Sequence, residues 1–212
     1  LYSGFEAFIL MARTNLRHFL ELGFKTLVNE NIKISDHSAD VCLSTKSQSE
    51  AAKQASENFL REVKYSGNNG NQLYTFVLRI GSLFSLAQKR YSQSEPEQNH
   101  FVIKGDLDAE TDSFLKELEK WSVIYINPIT KQKGGRKNPE VGGFEYVLSP
   151  IYAPFFHISY RKIRSISLDI TDLKMLISGN GEQFEVFLKK MQKEWGAAGF
   201  GENIDLFNQN NG

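Results

Sequence analysis

A single cysteine, Cys42, in 212 residues excludes an internal disulfide framework and fits a reducing compartment. Within DVCLS it is expected to pack as a small apolar strand residue. No apolar run approaches the roughly 18 residues that cross a bilayer, and no signal-peptide pattern opens the chain. A cytoplasmic protein without membrane contact is therefore expected. Formal net charge is zero, with 25 basic and 25 acidic side chains. That excludes a uniformly basic nucleic-acid binder and leaves room only for a local basic face. No GxxxxGK[ST] loop is available to cradle a nucleotide's phosphates. The four histidines, at 18, 37, 100 and 157, lack metal-ligand spacing, and no elbow motif singles out a nucleophile. No metal site and no catalytic residue is expected. Glu95 and Glu97, flanking Pro96, read as a solvated turn.

What the chain does contain is helical periodicity in its first half and a change of period in its second. Ser3 can cap a helix with Glu6 three residues on. The run FEAFILMARTNLRHFLELGFKTLVNE predicts a helical hairpin or one long helix interrupted near Thr14-Asn15. A second helix is expected over about 47–64, with an exposed Lys, Gln and Glu face. QLYTFVLRIGSLFSLAQKRY is too apolar for a surface helix and is expected to be central. Gly81 inside it costs about 1 kcal/mol against Ala, which predicts close approach to a neighbour. Asp108 can cap a fourth helix whose Phe114, Leu115, Leu118 and Trp121 fall at three- and four-residue spacing. After Trp121 the period becomes two. Residues 123–127 and 144–148 read as paired strands, with 100–104 as a third. A helix after Thr171, a break at GNGEQ, a helix through FEVFLKKMQKEW and a loose Gly- and Asn-rich tail complete the chain.

The loop between the paired strands carries Lys131, Lys133, Arg136 and Lys137 among glycines. Helix, strand, basic hairpin, strand is the order found at the end of a winged-helix unit, with the loop as the wing. Arg161, Lys162 and Arg164 form a second basic group. Their density suits phosphate contacts. The helix before the hairpin, by contrast, carries Asp108, Glu110, Asp112, Glu117 and Glu119, which repel phosphate. Arg17, early on an amphipathic helix, is by itself a wet-face residue with its stem packed along the helix.

SGFEAFILMARTNLRHFLEL resembles the lid helix of AAA+ ATPases, where a small-x-Arg pattern supplies a nucleotide-sensing arginine. The closest likeness is to bacterial ATPases of the origin-recognition, initiator type, and SEPEQNHFVI, LEKWSVI and FEYVLSPIYAPFFHISYRK are similar to their C-terminal parts. The resemblance covers roughly residues 3–190. It implies that Arg17 is the sensor-2 residue reaching phosphates from the lid, although Asn15 stands where that family usually has glycine. It also implies that the phosphate-binding loop, the metal-binding acid and the sensor-1 residue belong upstream of Leu1. ATP and Mg would then serve the longer protein, with no cofactor and no ATP hydrolysis expected of this stretch alone.

The expected fold is mainly α with a small antiparallel sheet (α+β): a helical lid segment over 1–44, a winged-helix-like domain over 45–168, a helical segment over 169–195 and a flexible tail over 196–212. The expected function is that of an initiator-like ATPase's lid and winged helix, binding duplex DNA chiefly through the wing. The other reading from the same residues is a winged-helix docking platform for a partner protein, with self-association included.

Overall fold

The structure is a computed structural model, describing residues 2–32, 42–90, 98–129, 143–162 and 164–198. Helix α1 spans Phe5–Ala12 and α2 spans Leu16–Asn29. The break expected near Thr14-Asn15 is there. Arg13 turns the chain with φ of 51°, and Asn15 caps α2 by accepting the Arg17 N–H. The capping box expected from Ser3 and Glu6 does not form. Gly4 is the N-cap, and its N–H donates instead to Gln48 Oε1 at 2.6 Å.

Helix α3 runs Thr45–Glu62, capped by Ser44, and α4 runs Gly70–Ala87. α4 is central, as its composition predicts: Leu73, Phe76, Val77, Ile80, Leu83, Phe84 and Leu86 have no exposed surface. Gly81 does mark a close approach. A Cβ placed there would lie 2.4 Å from the Phe156 ring. Strand β1 (Gln98–Lys104) leads to α5 (Ala109–Lys120), where Asp108 accepts the Thr111 N–H as the predicted cap. Ser122, with φ of 56°, then turns the chain into β2 (Ile124–Pro128), and β3 (Phe144–Leu148) answers it. A short 3-10 turn (Pro150–Tyr152), α6 (Ala153–Phe156), β4 (Arg164–Asp169), α7 (Ile170–Ser178) and α8 (Gly181–Trp195) follow.

The strand order is β2-β3-β1-β4. β2 and β3 pair antiparallel from Ile124↔Leu148 to Pro128↔Phe144, and β1 pairs antiparallel with β3 through Phe101↔Tyr146. The three expected strands therefore pair as expected. The sheet is mixed rather than purely antiparallel, because β4 adds to β1 in parallel, from Gln98↔Arg164 to Lys104↔Asp169. β4 alternates Ile166 and Leu168 inward with Ser165 and Ser167 outward, so its period of two was in the sequence. Its partner lies more than sixty residues back, which local pattern does not reveal. One sheet face carries Phe101, Tyr146, Ile166 and Leu168 into the helical core, with Phe101 and Tyr146 stacked at 5.1 Å. That core is continuous from Ala7 to Ala197.

Cys42 and one face of α2 escape the core for reasons of orientation. Cys42 is exposed and outside any strand, contrary to its expected packing, because the chain at Leu43 and Ser44 is already turning into the cap of α3. Helix α2 buries His18, Leu22 and Thr26 against α3. Leu16, Leu20, Phe24 and Val28, four apart on the opposite face, are exposed.

Candidate functional site

Arg17 sits at the second position of α2, where Asn15 fixes the backbone. Its side chain is 68% exposed, with Nη2 2.7 Å from Glu62 Oε2 at the end of α3. The guanidinium also lies 5.2 Å over the Phe59 ring. A pair this open contributes about 0–1 kcal/mol, so an incoming oxyanion could replace Glu62 at small cost. The neighbouring residue is the opposite case. His18 is buried and lies 4.4 Å from the Phe59 ring. Burial, with Arg17 beside it, pushes its pKa down to about 4. Asn15 Oδ1 is already used by Arg17 N–H, so the Asn15 amide nitrogen must donate to His18 Nε2 at 3.3 Å. The imidazole is thus held neutral.

α1 and the hairpin meet through Arg13. Its guanidinium stacks 4.0 Å over Tyr125 and donates to Asn127 Oδ1 at 3.3 Å. From the other end of the same segment, the Tyr2 hydroxyl donates to the Ile158 carbonyl at 2.7 Å. The N-terminal segment is therefore tied at two points, to β2 through Arg13 and to the chain after α6 through Tyr2.

The predicted basic groups are treated differently by the fold. Lys131, Lys133, Arg136 and Lys137 lie outside the described residues, as do Glu95 and Glu97. The strands on either side of that loop are regular, and a last backbone bond from Ile129 N–H to the Gly143 carbonyl at 3.0 Å closes the pairing. Arg164 starts β4 opposite Gln98, the sheet end away from Pro128 and Phe144. Over a strand of six residues that separates it from the loop's roots by roughly 17–20 Å. The Lys162 ammonium pairs with Glu145, and the Arg161 guanidinium lies 5.7 Å from the Tyr160 ring. Of the second group, Arg164 thus lies away from the loop's roots, while Lys162 reaches Glu145, the neighbour of Phe144.

Buried polar residues that the sequence did not single out hold this end of the sheet. The Asn99 amide donates to the Ser159 and Arg161 carbonyls, both at 3.0 Å. His100 is buried beside it, Nδ1 3.3 Å from Asn99 Oδ1, and burial lowers its pKa to about 4. Arg79 on α4 is buried too. It donates to the carbonyls of Met175 (3.2 Å), Leu176 (2.9 Å) and Gly179 (2.5 Å), closing the C-terminal end of α7. The only signal for Arg79 was a lone arginine in an apolar helix. Among the described residues no group of three His, Cys, Asp or Glu is placed to hold a metal, and no helix is long and apolar enough to cross a membrane.

The arrangement is a lid-like helical pair fixed to a helix-then-hairpin unit, with an accessible arginine at the first turn of α2. The model of a family described as ORC-CDC6-like matches residues 1–168. No curated protein and no solved structure gave a significant match. The matched region runs from the N-terminal helices through the hairpin and almost to the end of β4, so it takes in every part of the resemblance read from α1, α2 and the hairpin. On a match over most of its length, the chain belongs to the ORC-CDC6-like family of origin-recognition-type AAA+ proteins.

Proposed function

We propose that the chain is the lid and winged-helix portion of an initiator-like ATPase, and that it contacts duplex DNA through the β2–β3 hairpin loop rather than through α5. The observation that carries this reading is the strand pairing itself. It reaches Pro128↔Phe144, so the chain leaves the sheet and re-enters it around a segment with Lys131, Lys133, Arg136 and Lys137 and no acid between 129 and 139. The helix before the hairpin is unsuited to phosphate. From Asp108 to Lys120 it has five carboxylates against two lysines. Contacts limited to the backbone position a protein without specifying sequence. Arg161, Lys162 and Arg164 contribute less in this reading, since Glu145 already answers Lys162.

Within the longer protein Arg17 reaches the nucleotide's phosphates. It keeps its charge and offers forked donors, and Glu62 holds it only by an exposed pair. ATP and Mg belong to that longer protein. The open stripe of Leu16, Leu20, Phe24 and Val28 supports the lid assignment, because contiguous exposed apolar surface of this kind marks a packing face.

The test is a salt titration of duplex binding. With four phosphate contacts, log affinity against log salt slopes by about −3.6, roughly 150-fold between 50 and 200 mM. Replacing all four loop cations with Ala should flatten the slope to near zero. Equal binding by both proteins, or none at low salt, overturns the reading.

A further inference from the structure

Between the start of α4, the outer face of α5 and the end of α7 lies a cleft of about 420 Å³. Its floor is Phe114 and Ile177, and its polar lining includes Gln72, Glu110, Ser113, Glu117 and Ser178. Lys174 also borders it. Its ammonium, however, is 2.5 Å from Asp108 Oδ2. Lys174, with the Thr111 backbone N–H, holds the Asp108 carboxyl down to about 2, so that cation's charge is already answered. Asp112 is likewise paired with Lys116 at 2.6 Å. Glu119 faces away, accepting the Ile126 N–H at 3.2 Å. Glu117 accepts from the Asn69 amide at 2.7 Å, a neutral partner that leaves its charge uncompensated. Among the described residues neither Glu110 nor Glu117 is in an ion pair shorter than 4.0 Å.

The chemistry of the lining selects its occupant. An apolar floor beneath carboxylates fits a side chain with a methylene stem and a cationic head, which is how Arg and Lys divide themselves between apolar surface and charge. Spacing narrows it further. Glu110 and Glu117 are seven residues apart on one face of α5, about 10 Å along the axis. That is too far for both to grip one guanidinium. It matches two cations three residues apart on a polyproline-II segment, whose three-residue turn brings both to one side about 9 Å apart.

We propose that this cleft docks a basic polyproline-II segment of a partner protein, two arginine or lysine side chains three residues apart pairing with Glu110 and Glu117. The site is independent of the hairpin loop, and it repels the phosphates that the loop attracts. Bidentate guanidinium–carboxylate geometry favours arginine over lysine.

The experiment uses this chain with two capped hexapeptides, GRGGRG and GGRRGG, titrated at low and physiological salt by calorimetry or amide chemical shifts. GRGGRG should bind at least fivefold more tightly than GGRRGG. Its affinity should fall at least tenfold in the Glu110→Gln/Glu117→Gln variant, with shifts confined to α5, α7 and the start of α4. Asp112→Asn, which removes one charge outside the cleft as Glu110→Gln removes one inside it, should change it less than twofold. Glu110→Gln alone, at an exposed residue without a hydrogen bond to lose, should weaken binding about threefold and guards against a folding artefact. The four-Ala loop variant should bind GRGGRG as the native chain does, which separates this site from the DNA reading. Equal binding of the two peptides, equal weakening by Asp112→Asn, or no binding of GRGGRG at low salt overturns the proposal.

Discussion

Replacing Gly81 with Ala isolates one contact on which the packing of α4 depends. The added Cβ would meet Phe156 Cε2 and Cζ at 2.4 Å and Cδ2 at 2.5 Å. Carbon atoms in good contact lie about 3.5–4.0 Å apart, so the overlap is about 1 Å against three atoms at once. Phe156 cannot swing clear: it is buried and sits edge-to-face on Phe155 at 4.9 Å. Overpacking of this severity costs about 3 kcal/mol, the upper end of the usual range. The better helix propensity of Ala returns about 1 kcal/mol. The net loss is about 2 kcal/mol. At about 2–4 °C per kcal/mol for a chain of this size, Tm should fall by about 4–8 °C. Circular dichroism melts with urea titration measure it. A compensating Gly81→Ala/Phe156→Leu protein should be more stable than the sum of the two single losses by at least about 0.5 kcal/mol, since contacting residues couple. A neutral or stabilising Gly81→Ala, or strict additivity with Phe156→Leu, would refute the reasoning.

Other expectations follow from named contacts. Arg79→Met should cost about 3 kcal/mol, since it strips a buried cation from three carbonyls at the end of α7; hydrogen exchange should show α7 opening before α4. His18 and His100 are both held neutral by burial, with pKa values lowered to about 4. Because each is depressed below its unfolded value near 6.5, their contribution is complete above pH 6.5 and is lost as pH falls toward 4. Tm should therefore drop across that window, and less steeply in a His18→Gln/His100→Gln protein. In the longer protein, Arg17→Ala should lower ATP turnover by at least tenfold while leaving the melting temperature of this region within a degree or two, the Glu62 pair being exposed. Unchanged turnover removes Arg17 from the nucleotide site.

Much of the fold was legible because its signals are local. The switch of period at Trp121, the Asp108 cap and the glycine in an apolar helix each named an element or a contact that the structure contains. What was not legible depends on chain segments far apart in sequence. β4 pairs in parallel with a strand more than sixty residues earlier, and nothing in RSISLD names that partner. The helical wheel of α2 offers two apolar faces, and only the packing of α3 decides that Leu22 is buried and Leu20 is not. The cleft joins α5 to α7, so its carboxylates read in sequence only as an acidic helix face. Arg17 was visible as a position, but the Glu62 and Phe59 that hold it come from another helix. The hairpin's basic loop, the strongest functional signal in the sequence, falls outside the described residues, and its role rests on the strands that flank it.

The claim that the hairpin loop and not α5 meets DNA is tested most directly by mapping backbone amide shifts on adding a short duplex at low salt. The account predicts perturbations centred on residues 129–143 and spreading to the adjoining ends of β2 and β3, with residues 109–120 unmoved. Perturbations centred on 109–120, with the loop silent, would contradict it.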